Sequence, residues 1–230
     1  MRISIHQPQY IPWIPYFSKI KESDLFIFLD DVDFQKNGLQ NRNHIKSSQG
    51  KQWLTVPVLQ KLNQKIIDVK IDNSCNWKYK HLQSLKLCYG KSLFFNNYLD
   101  DINFIYEQEW QSLCDLNIEI ITTMLKWLKI STPIKRSSSS RLEGNGSNLI
   151  LNICKKYKAD TYISGIGGKS YLNIENFLDN KIKVIYLDPD LPLEYKQLYP
   201  KKGFLNDISA LDPIFNCGPD TNNYCFKSIQ

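Results

Sequence analysis

The spacing of apolar residues changes several times within the first thirty positions. Residues 2–6 have the pattern of a short strand, and residues 24–29 form an uninterrupted apolar run that is typical of a strand buried on both faces. A helix is predicted between them, after a proline-rich turn, from four apolar residues at helical spacing: Trp13, Tyr16, Phe17 and Ile20. This order of strand, loop, helix and strand is the building unit of a parallel sheet.

The middle of the chain has a different pattern. Residues 41–58 predict two strands around a turn at Gly50, and residues 66–71 alternate as a third strand would. Residues 77–130 carry apolar positions at every third and fourth place and predict a mainly helical block. The block differs in character from the segments on either side of it.

The strand and helix alternation then returns. Strands are predicted at residues 132–136, 161–164 and 183–187, with helices at 148–157 and 170–178, and the tail from Asp188 is expected to be mostly loops. Residues 1–35 and 131–188 together predict an α/β fold with a Rossmann-like parallel sheet. Residues 36–130 are expected to be an inserted hairpin and helical block over the carboxyl ends of the strands, within a single domain of residues 1–230.

Composition narrows the functional classes. Of 230 residues, 42% are hydrophobic, which is enough for a full core, and the net charge of +6 suits a phosphate-bearing substrate as well as ordinary solubility. The chain has no long run of Lys or Arg, so a DNA partner is not expected. It has no apolar stretch long enough for a signal peptide or a membrane span, so a cytoplasmic location without membrane insertion is expected.

The cysteines do not predict a metal site. None of the six forms a C-x-x-C pair, so zinc is not expected, and a large core without a leader favours free thiols. Three lie in helical patterns and are predicted to be small apolar core residues: Cys88, Cys114 and Cys154.

The first candidate cluster follows the first strand. His6 ends that strand where ligands of such sheets bind, so His6 is a candidate catalytic residue that, with Gln7, would donate to phosphate oxygens and stabilise the charge of the transition state. Tyr10 and Trp13 are candidates for contacting substrate. The alternative is a histidine that caps a strand and is satisfied by the backbone.

The second cluster follows the second strand. Asp30 or Asp31 could accept a proton from an amine or hold Mg²⁺. Residues after them offer donors for a sugar or a phosphate: Gln35, Lys36, Asn41, Arg42 and Asn43. A polar loop with Asx turns explains the same pattern.

The third cluster lies between the strand at 161–164 and the helix after it. It comprises Ser164, Gly165, Gly167, Gly168 and Lys169. Glycines let a ligand approach the backbone, and the lysine adds charge, so the segment is a candidate for binding phosphates. It matches neither a Walker loop nor G-x-G-x-x-G, and an ordinary glycine-rich turn is the alternative.

Two further segments each allow a functional and a structural interpretation. Ser137–Ser140, after Lys135 and Arg136, is either a second phosphate-facing loop or a linker. Cys217 is either a nucleophile, with His6, His44 or His81 as its base, or a buried structural thiol.

Several separated motifs follow one another along the chain: His6-Gln-Pro-Gln-Tyr-Ile-Pro-Trp, Phe28-Leu-Asp-Asp-Val, Phe34-Gln-Lys, Gln40-Asn-Arg-Asn-His-Ile-Lys, Trp53-Leu-Thr-Val-Pro-Val, Tyr162-Ile-Ser-Gly-Ile-Gly-Gly-Lys-Ser-Tyr-Leu, Asp207-Ile-Ser-Ala-Leu-Asp and Asn216-Cys-Gly-Pro. In this order they resemble the WbqC-like family, and the likeness covers residues 2 to about 219. Pro15 departs from the pattern, since the family usually has Gly there. That change bears on the first turn of the helix.

The resemblance implies a place in bacterial surface polysaccharide biosynthesis, especially of O-antigen in lipopolysaccharide. It further implies modification of an amino sugar by an amino acid or another acyl group. A strand ending in His6, a proline-rich turn, a helix and a later strand followed by a Gly-Lys loop also look like the plan of nucleotidyltransferase-like enzymes, such as the pantothenate synthetases, which activate a carboxylate with ATP and pass it to an amine. This chain lacks their H-x-G-H sequence, so that likeness is one of fold plan only.

The sequence therefore favours an amide-forming transferase or ligase that acts on a nucleotide-linked amino sugar and an acyl or aminoacyl donor. The donor could be activated by ATP with Mg²⁺, held as a thioester or carried on tRNA. Two alternatives stay open: a thiol acyltransferase that uses Cys217, and a non-catalytic sugar-nucleotide-binding partner of the pathway, for which five Trp and thirteen Tyr offer stacking surfaces.

Overall fold

A computed structural model describes residues 1–140, 142–188 and 191–226. The strands are β1 Arg2–His6, β2 Leu25–Phe28, β3 Arg42–Ser47, β4 Gly50–Thr55, β5 Val58–Leu59, β6 Lys70–Ile71, β7 Ile134–Arg136, β8 Thr161–Gly165 and β9 Lys183–Leu187. The α-helices are α1 Ile14–Lys21, α2 Trp77–Tyr89, α3 Leu99–Glu107, α4 Leu113–Trp127, α5 Gly146–Lys156, α6 Ile174–Asp179, α7 Leu211–Cys217 and α8 Thr221–Cys225.

The chain divides into two compact units. The sheet unit comprises Met1–Gln7, Pro15–Val32 and Ile130–Pro189. The helical unit comprises Pro8–Ile14, Asp33–Lys129 and Asp190–Gln230. The expectation that residues 36–130 cover the strand ends, within one domain, stays a prediction.

The sheet unit is built on a five-stranded parallel sheet with the order β7-β2-β1-β8-β9. Counted along the unit, this is the order 3-2-1-4-5 of a Rossmann-like fold, so the predicted fold class is confirmed. The chain builds outward from β1 to β2 and β7, and then returns to the other side of β1 for β8 and β9. The order in which strands are added to the sheet thus reverses between β1 and β8, although all five strands stay parallel.

Burial explains why these segments form strands. All four residues of β2 are buried, as the continuous apolar run predicts for a strand covered on both faces. On β1, Ile3 and Ile5 pack into a core with Leu149 and Ile153 of α5 and with Phe177 of α6. Each side chain of this size contributes roughly 1.5–3 kcal/mol when it is fully buried.

The helical unit holds two small antiparallel pairs and most of the helices. β3 and β4 form the predicted hairpin, with His44 opposite Trp53 and with Gly50 at a positive φ of 103° at the turn. β5 pairs with β6. The block at 77–130 is helical as predicted, and α4 begins at an N-cap serine, Ser112, whose side chain accepts a hydrogen bond from the backbone N–H of Asp115.

Three segments differ from the prediction. Residues 66–71 form a 3₁₀ turn, Ile66–Asp68, and then only the two residues of β6. Ser137–Ser140 is also a 3₁₀ turn. The tail, expected to be mostly loops, contains α7 and α8; Pro213 lies in the first turn of α7, where a missing N–H costs no helical hydrogen bond, and it hides the helical pattern in the sequence.

In the part of the chain that the structure describes, no helix is both long enough and apolar enough to cross a membrane. The three cysteines predicted to be core residues are buried, which confirms that prediction.

Candidate functional site

The carboxyl ends of β1 and β8 flank the switch point, at which the order of strand addition reverses. Arg2 pairs with Thr161 and Ser4 with Ile163, and continuing this register by two residues places His6 level with Gly165. Ligands of open α/β sheets bind outside the strand ends at such a switch point. Two of the predicted clusters therefore meet in the sheet unit at the position where a ligand is expected.

The surroundings of His6 fix its protonation state. Nδ1 lies 3.1 Å from the backbone oxygen of Gln7, and the ring packs edge-on against Tyr16, with centroids 4.9 Å apart. Burial, and secondarily the charge of Lys19, lower the pKa of His6 to about 3, so the ring is neutral at physiological pH. A carbonyl oxygen can only accept, so Nδ1 carries the proton and Nε2 is an acceptor.

This tautomer corrects one part of the sequence prediction. A hydrogen bond donated by His6 to phosphate does not fit the structure, because a neutral ring whose only N–H is held by Gln7 has no second proton to donate. His6 is suited instead to accepting a hydrogen bond from a hydroxyl or an amine. Its place at the switch point is unchanged.

Lys19 is a residue that the sequence reasoning missed. Its side chain is buried, with 5% of the residue exposed, and Nζ donates to the backbone oxygen of Ile5 at 3.1 Å. Burial lowers the pKa of this amine to about 7. The available signal was a lysine between Phe17 and Ile20, inside the apolar pattern of the predicted first helix.

The Asp30 carboxylate is fully engaged by the residues that follow β7. It is completely buried, and Arg136 Nε donates to Oδ2 at 2.6 Å. Ser137 Oγ and Ser138 N donate to Oδ1 at 3.1 and 3.0 Å, and Ser138 Oγ donates to Oδ2 at 2.9 Å. The carboxylate therefore joins the end of β2 to the turn after β7.

These contacts bear directly on the predicted roles of the two aspartates. With four donors on its two oxygens, Asp30 fits neither a proton acceptor nor a Mg²⁺ ligand, since either role would break this buried set. Asp31 also contacts Ser137 Oγ, but its side chain is partly exposed. Among the described residues, no three His, Cys, Asp or Glu side chains are grouped so that they could hold a metal ion.

The glycine-rich segment after β8 is a short 3₁₀ helix, Ile166–Ser170. A Cβ at Gly165 or Gly167 would have no atom within 4 Å, so the backbone there is open to a ligand. Gly168 is different, because a Cβ there would lie 2.1 Å from Ser164 Oγ. None of the three has a positive φ, and the exposed Lys169 places Nζ 5.3 Å from the Tyr186 ring centroid.

In the helical unit, Arg42 is the candidate with the clearest recognition geometry. Its guanidinium carbon lies 4.3 Å from the centroid of the Trp53 ring. The centroids of the His44 and Trp53 rings are 3.5 Å apart. The Nε atom of Arg42 is buried without a hydrogen-bond partner among the described residues. Trp53 is 42% exposed, so this cation and indole form an accessible surface on the β3–β4 hairpin.

Three other predicted substrate contacts have partners within the helical unit. Asn41 Nδ2 donates to the Val56 oxygen at 3.0 Å, and Asn43 Nδ2 donates to the Ile11 oxygen at 3.0 Å; both side chains are buried. Tyr10 is completely buried, and its hydroxyl bonds to His81 Nδ1 at 2.7 Å. The prediction that Tyr10 contacts the substrate is corrected accordingly, because no part of its side chain reaches the surface.

The remaining predicted residues are more accessible. Gln35 and Lys36 are exposed, and Trp13 is partly buried, with its backbone bridged to Ser209. Of the buried side-chain oxygens in the helical unit, those of Gln9, Asn41, Asn117 and Asn222 accept no hydrogen bond from the described residues. Such acceptors are suited to a ligand that brings its own donors.

Cys217 does not have the environment of a nucleophile. It is buried, and burial, then the charges of Asp212 and Asp220, raise the pKa of its thiol to about 12. The thiolate is the reactive form, so almost none is present at neutral pH. This environment favours the reading of Cys217 as a structural thiol.

The sheet order and the polar groups at its switch point define an α/β protein of the Rossmann-like kind. Residues 7–224 match the WbqC-like protein family, and the chain belongs to that family. It is 36% identical over 230 residues to the Uncharacterized protein Rv1507c of Mycobacterium tuberculosis (strain ATCC 25618 / H37Rv), covering 97% of this chain and 98% of that protein. No solved structure matches the chain. Membership of this family suggests a role in polysaccharide biosynthesis.

Proposed function

We propose that this protein forms an amide bond on a nucleotide-linked amino sugar, by transferring an aminoacyl or acyl group to the sugar amine during bacterial surface polysaccharide biosynthesis. The observation that carries the proposal is the switch point of the sheet unit. There, His6 and the open backbone at Gly165 and Gly167 lie at one strand edge. A nucleotide diphosphate is the ligand class that this kind of edge most often binds.

The chemistry requires a neutral amine. The amine nitrogen attacks the acyl carbon, the new C–N bond forms, and the bond from that carbon to its oxygen or sulfur leaving group breaks. The proton lost by the sugar ammonium must pass to a base. Asp31 is assigned this role, because its carboxylate is partly exposed whereas that of Asp30 is committed to Arg136, Ser137 and Ser138.

The helical unit, taken by itself, offers a surface for a phosphate or a sugar at Arg42. A guanidinium offers planar paired donors to a phosphate or to sugar hydroxyls, and its position over Trp53 holds that plane fixed. An exposed indole also stacks on the apolar face of a sugar ring. The unpartnered oxygens of Gln9, Asn41 and Asn117 are suited to receive N–H or O–H groups of a substrate.

The test is incubation of the purified protein with nucleotide-linked 3-amino and 4-amino sugars, a set of amino acids and Mg-ATP, followed by mass spectrometry. A product heavier by one aminoacyl group, with release of AMP, supports ATP-dependent ligation. Product formation only with an acyl thioester or a charged tRNA supports the amide chemistry with another donor. Binding without product under any donor would overturn the transferase and favour a binding protein.

Variants sharpen this test. Asp31→Asn is expected to lower kcat by about 100-fold or more, because the amine keeps its proton. Asp33→Asn, which removes an exposed carboxylate two residues away, is the matched control and should retain the activity of the unmodified protein. Equal activity in both variants would remove Asp31 from the mechanism.

A further inference from the structure

Lys19 has far fewer partners than its burial requires. An ammonium has three donors, yet among the described residues Nζ donates to the Ile5 oxygen alone. No carboxylate of the described residues lies within ion-pair distance of it. With 5% of the residue exposed, water can replace few of the missing contacts. A buried cation on one neutral acceptor is unfavourable unless another group supplies the opposite charge.

The fold does not need the amine for its own construction. The backbone of Lys19 already joins α1 to β1, since Ser4 Oγ of β1 donates to its carbonyl oxygen at 3.1 Å, and Ser23 Oγ donates to the same oxygen at 2.8 Å. Any residue would provide that oxygen. An unbranched apolar side chain such as methionine would also fill the space of the lysine stem at a lower desolvation cost.

The amine is directed to the switch point. Its acceptor, Ile5, is the residue before His6 on β1, and β1 lies beside β8 at the switch point. His6 responds to the lysine charge, which places the two groups in one electrostatic environment. Among the other charged groups on adjoining elements, Arg2 pairs with Glu22 and Arg136 with Asp30, so their charges are compensated.

We propose that Lys19 is the cation that binds the diphosphate of the nucleotide-linked substrate at the carboxyl end of β1, which deepens and rests on the proposed function. The diphosphate supplies the missing countercharge and the missing acceptors. The neutral Nε2 of His6, which cannot bind an anion, accepts a hydrogen bond from a hydroxyl of the same ligand. The amine is half-charged near pH 7 before binding and fully charged afterwards, so binding takes up a proton.

The experiment is titration calorimetry with glucose linked to uridine, guanosine or thymidine diphosphate, whose diphosphate diester does not titrate near neutral pH. Each titration is run in two buffers of different ionisation enthalpy, at about pH 6.5 and about pH 8.5, which gives proton uptake together with affinity. His6 stays neutral over this range and adds nothing to the uptake. No acyl donor is present, so the result does not depend on transfer chemistry.

We expect the affinity of the unmodified protein to fall roughly tenfold per pH unit above pH 7, with proton uptake. Lys19→Met should weaken binding by about 30-fold or more and abolish the uptake. Lys19→Arg should retain binding but lose the pH dependence, because a guanidinium does not titrate here. Lys21→Met removes an exposed charge from the same helix and should change neither property.

Three outcomes would overturn the proposal: unchanged affinity and uptake in Lys19→Met, an uptake that survives in Lys19→Arg, or no binding of any diphosphate sugar by the unmodified protein. Lys19-dependent binding in a protein that forms no amide with any donor would overturn the proposed function alone. The two inferences can therefore fail separately.

Discussion

Two buried lysines, one in each unit, differ in how their charge is compensated. Lys19 of the sheet unit donates to one backbone oxygen. Lys46 of the helical unit, 1% exposed, donates to Gln197 Oε1 at 2.8 Å and to the Gly203 oxygen at 2.6 Å. It also interacts electrostatically with the carboxylate of Asp212, which opposes the lowering of the Lys46 pKa by burial.

The surroundings of Asp212 complete that contrast. Tyr89 and Tyr195 hydroxyls donate to its oxygens at 3.0 and 2.7 Å, and Gln197 Nε2 donates at 2.8 Å. Lys46 is thus one member of a network in which the folded chain provides both charges. The difference indicates that burial alone does not make a lysine functional; what matters is whether the protein itself supplies the opposite charge.

The largest expected effect is on stability. Lys46→Met should lower the free energy of unfolding by about 3 kcal/mol, because it leaves Asp212 buried without a nearby positive charge and removes a donor from the Gly203 and Gln197 oxygens, of which, among the described residues, only that of Gln197 keeps another donor, the N–H of Leu205. Lys19→Met should leave the free energy of unfolding unchanged or raise it, since the lysine loses only one neutral contact. Urea unfolding monitored by circular dichroism measures both variants.

Lys51→Met is the control for the hairpin that carries Lys46. Lys51 pairs with Asp207 at the surface, and such pairs contribute roughly 1 kcal/mol or less. A loss of stability in Lys19→Met as large as that in Lys46→Met would mean that the fold, and not a ligand, uses the Lys19 charge.

The second expected effect is a dependence of the free energy of unfolding on pH. The Lys19 pKa is about 7 in the folded chain and near its ordinary value of 10.5 in the unfolded chain. Between these values the unfolded chain binds the extra proton, so stability rises with pH by up to ~1.4 kcal/mol per unit. Subtracting the profile of Lys19→Met, measured by urea unfolding from pH 7 to pH 10, isolates this contribution. A flat difference would show that Lys19 keeps an ordinary pKa.

The smallest effect concerns the glycine-rich segment near the same strand edge. Gly168→Ala should cost about 1–2 kcal/mol, because its Cβ would press on the buried Ser164 side chain. Gly167→Ala meets no atom within 4 Å and should be nearly neutral for stability. Thermal unfolding distinguishes them, and equal losses would contradict this packing. If a ligand lies over the open backbone, Gly167→Ala should instead weaken binding of the diphosphate sugars.

Much of the fold could be predicted because its strands carry their own signals. The buried run of β2 and the alternation of strand and helix at both ends of the chain are local patterns, and parallel connections then restrict the strand order. α7 was missed because Pro213, in the first turn of a short helix, hides its pattern. Residues 66–71 were overextended because the two-residue alternation covers only Val69 and Ile71, whereas Ile66 and Val69 are buried three residues apart, as in a 3₁₀ turn. Neither short segment has enough residues for a period to be decisive.

The candidate site was predicted only in part, for a reason that lies in side-chain partners. The sequence indicated His6, Asp30 and the glycine-rich segment through their positions after strands. It could not show that Asp30 is saturated by residues 136–138, about a hundred positions away, or that the Nδ1 proton of His6 is held by Gln7. Lys19 was missed for the opposite reason, because a lysine in a helix is ordinarily assumed to face water.

The position of β1 at the centre of its sheet has a consequence for synthesis on the ribosome. β1 pairs with β2 soon after both emerge, but its other neighbour, β8, begins only at Thr161. Until then one edge of this central strand carries unpaired N–H and C=O groups, which can template wrong pairing with another chain. Nascent chains that stall before β8 should therefore need chaperone protection, and expression yield should respond to translation rate.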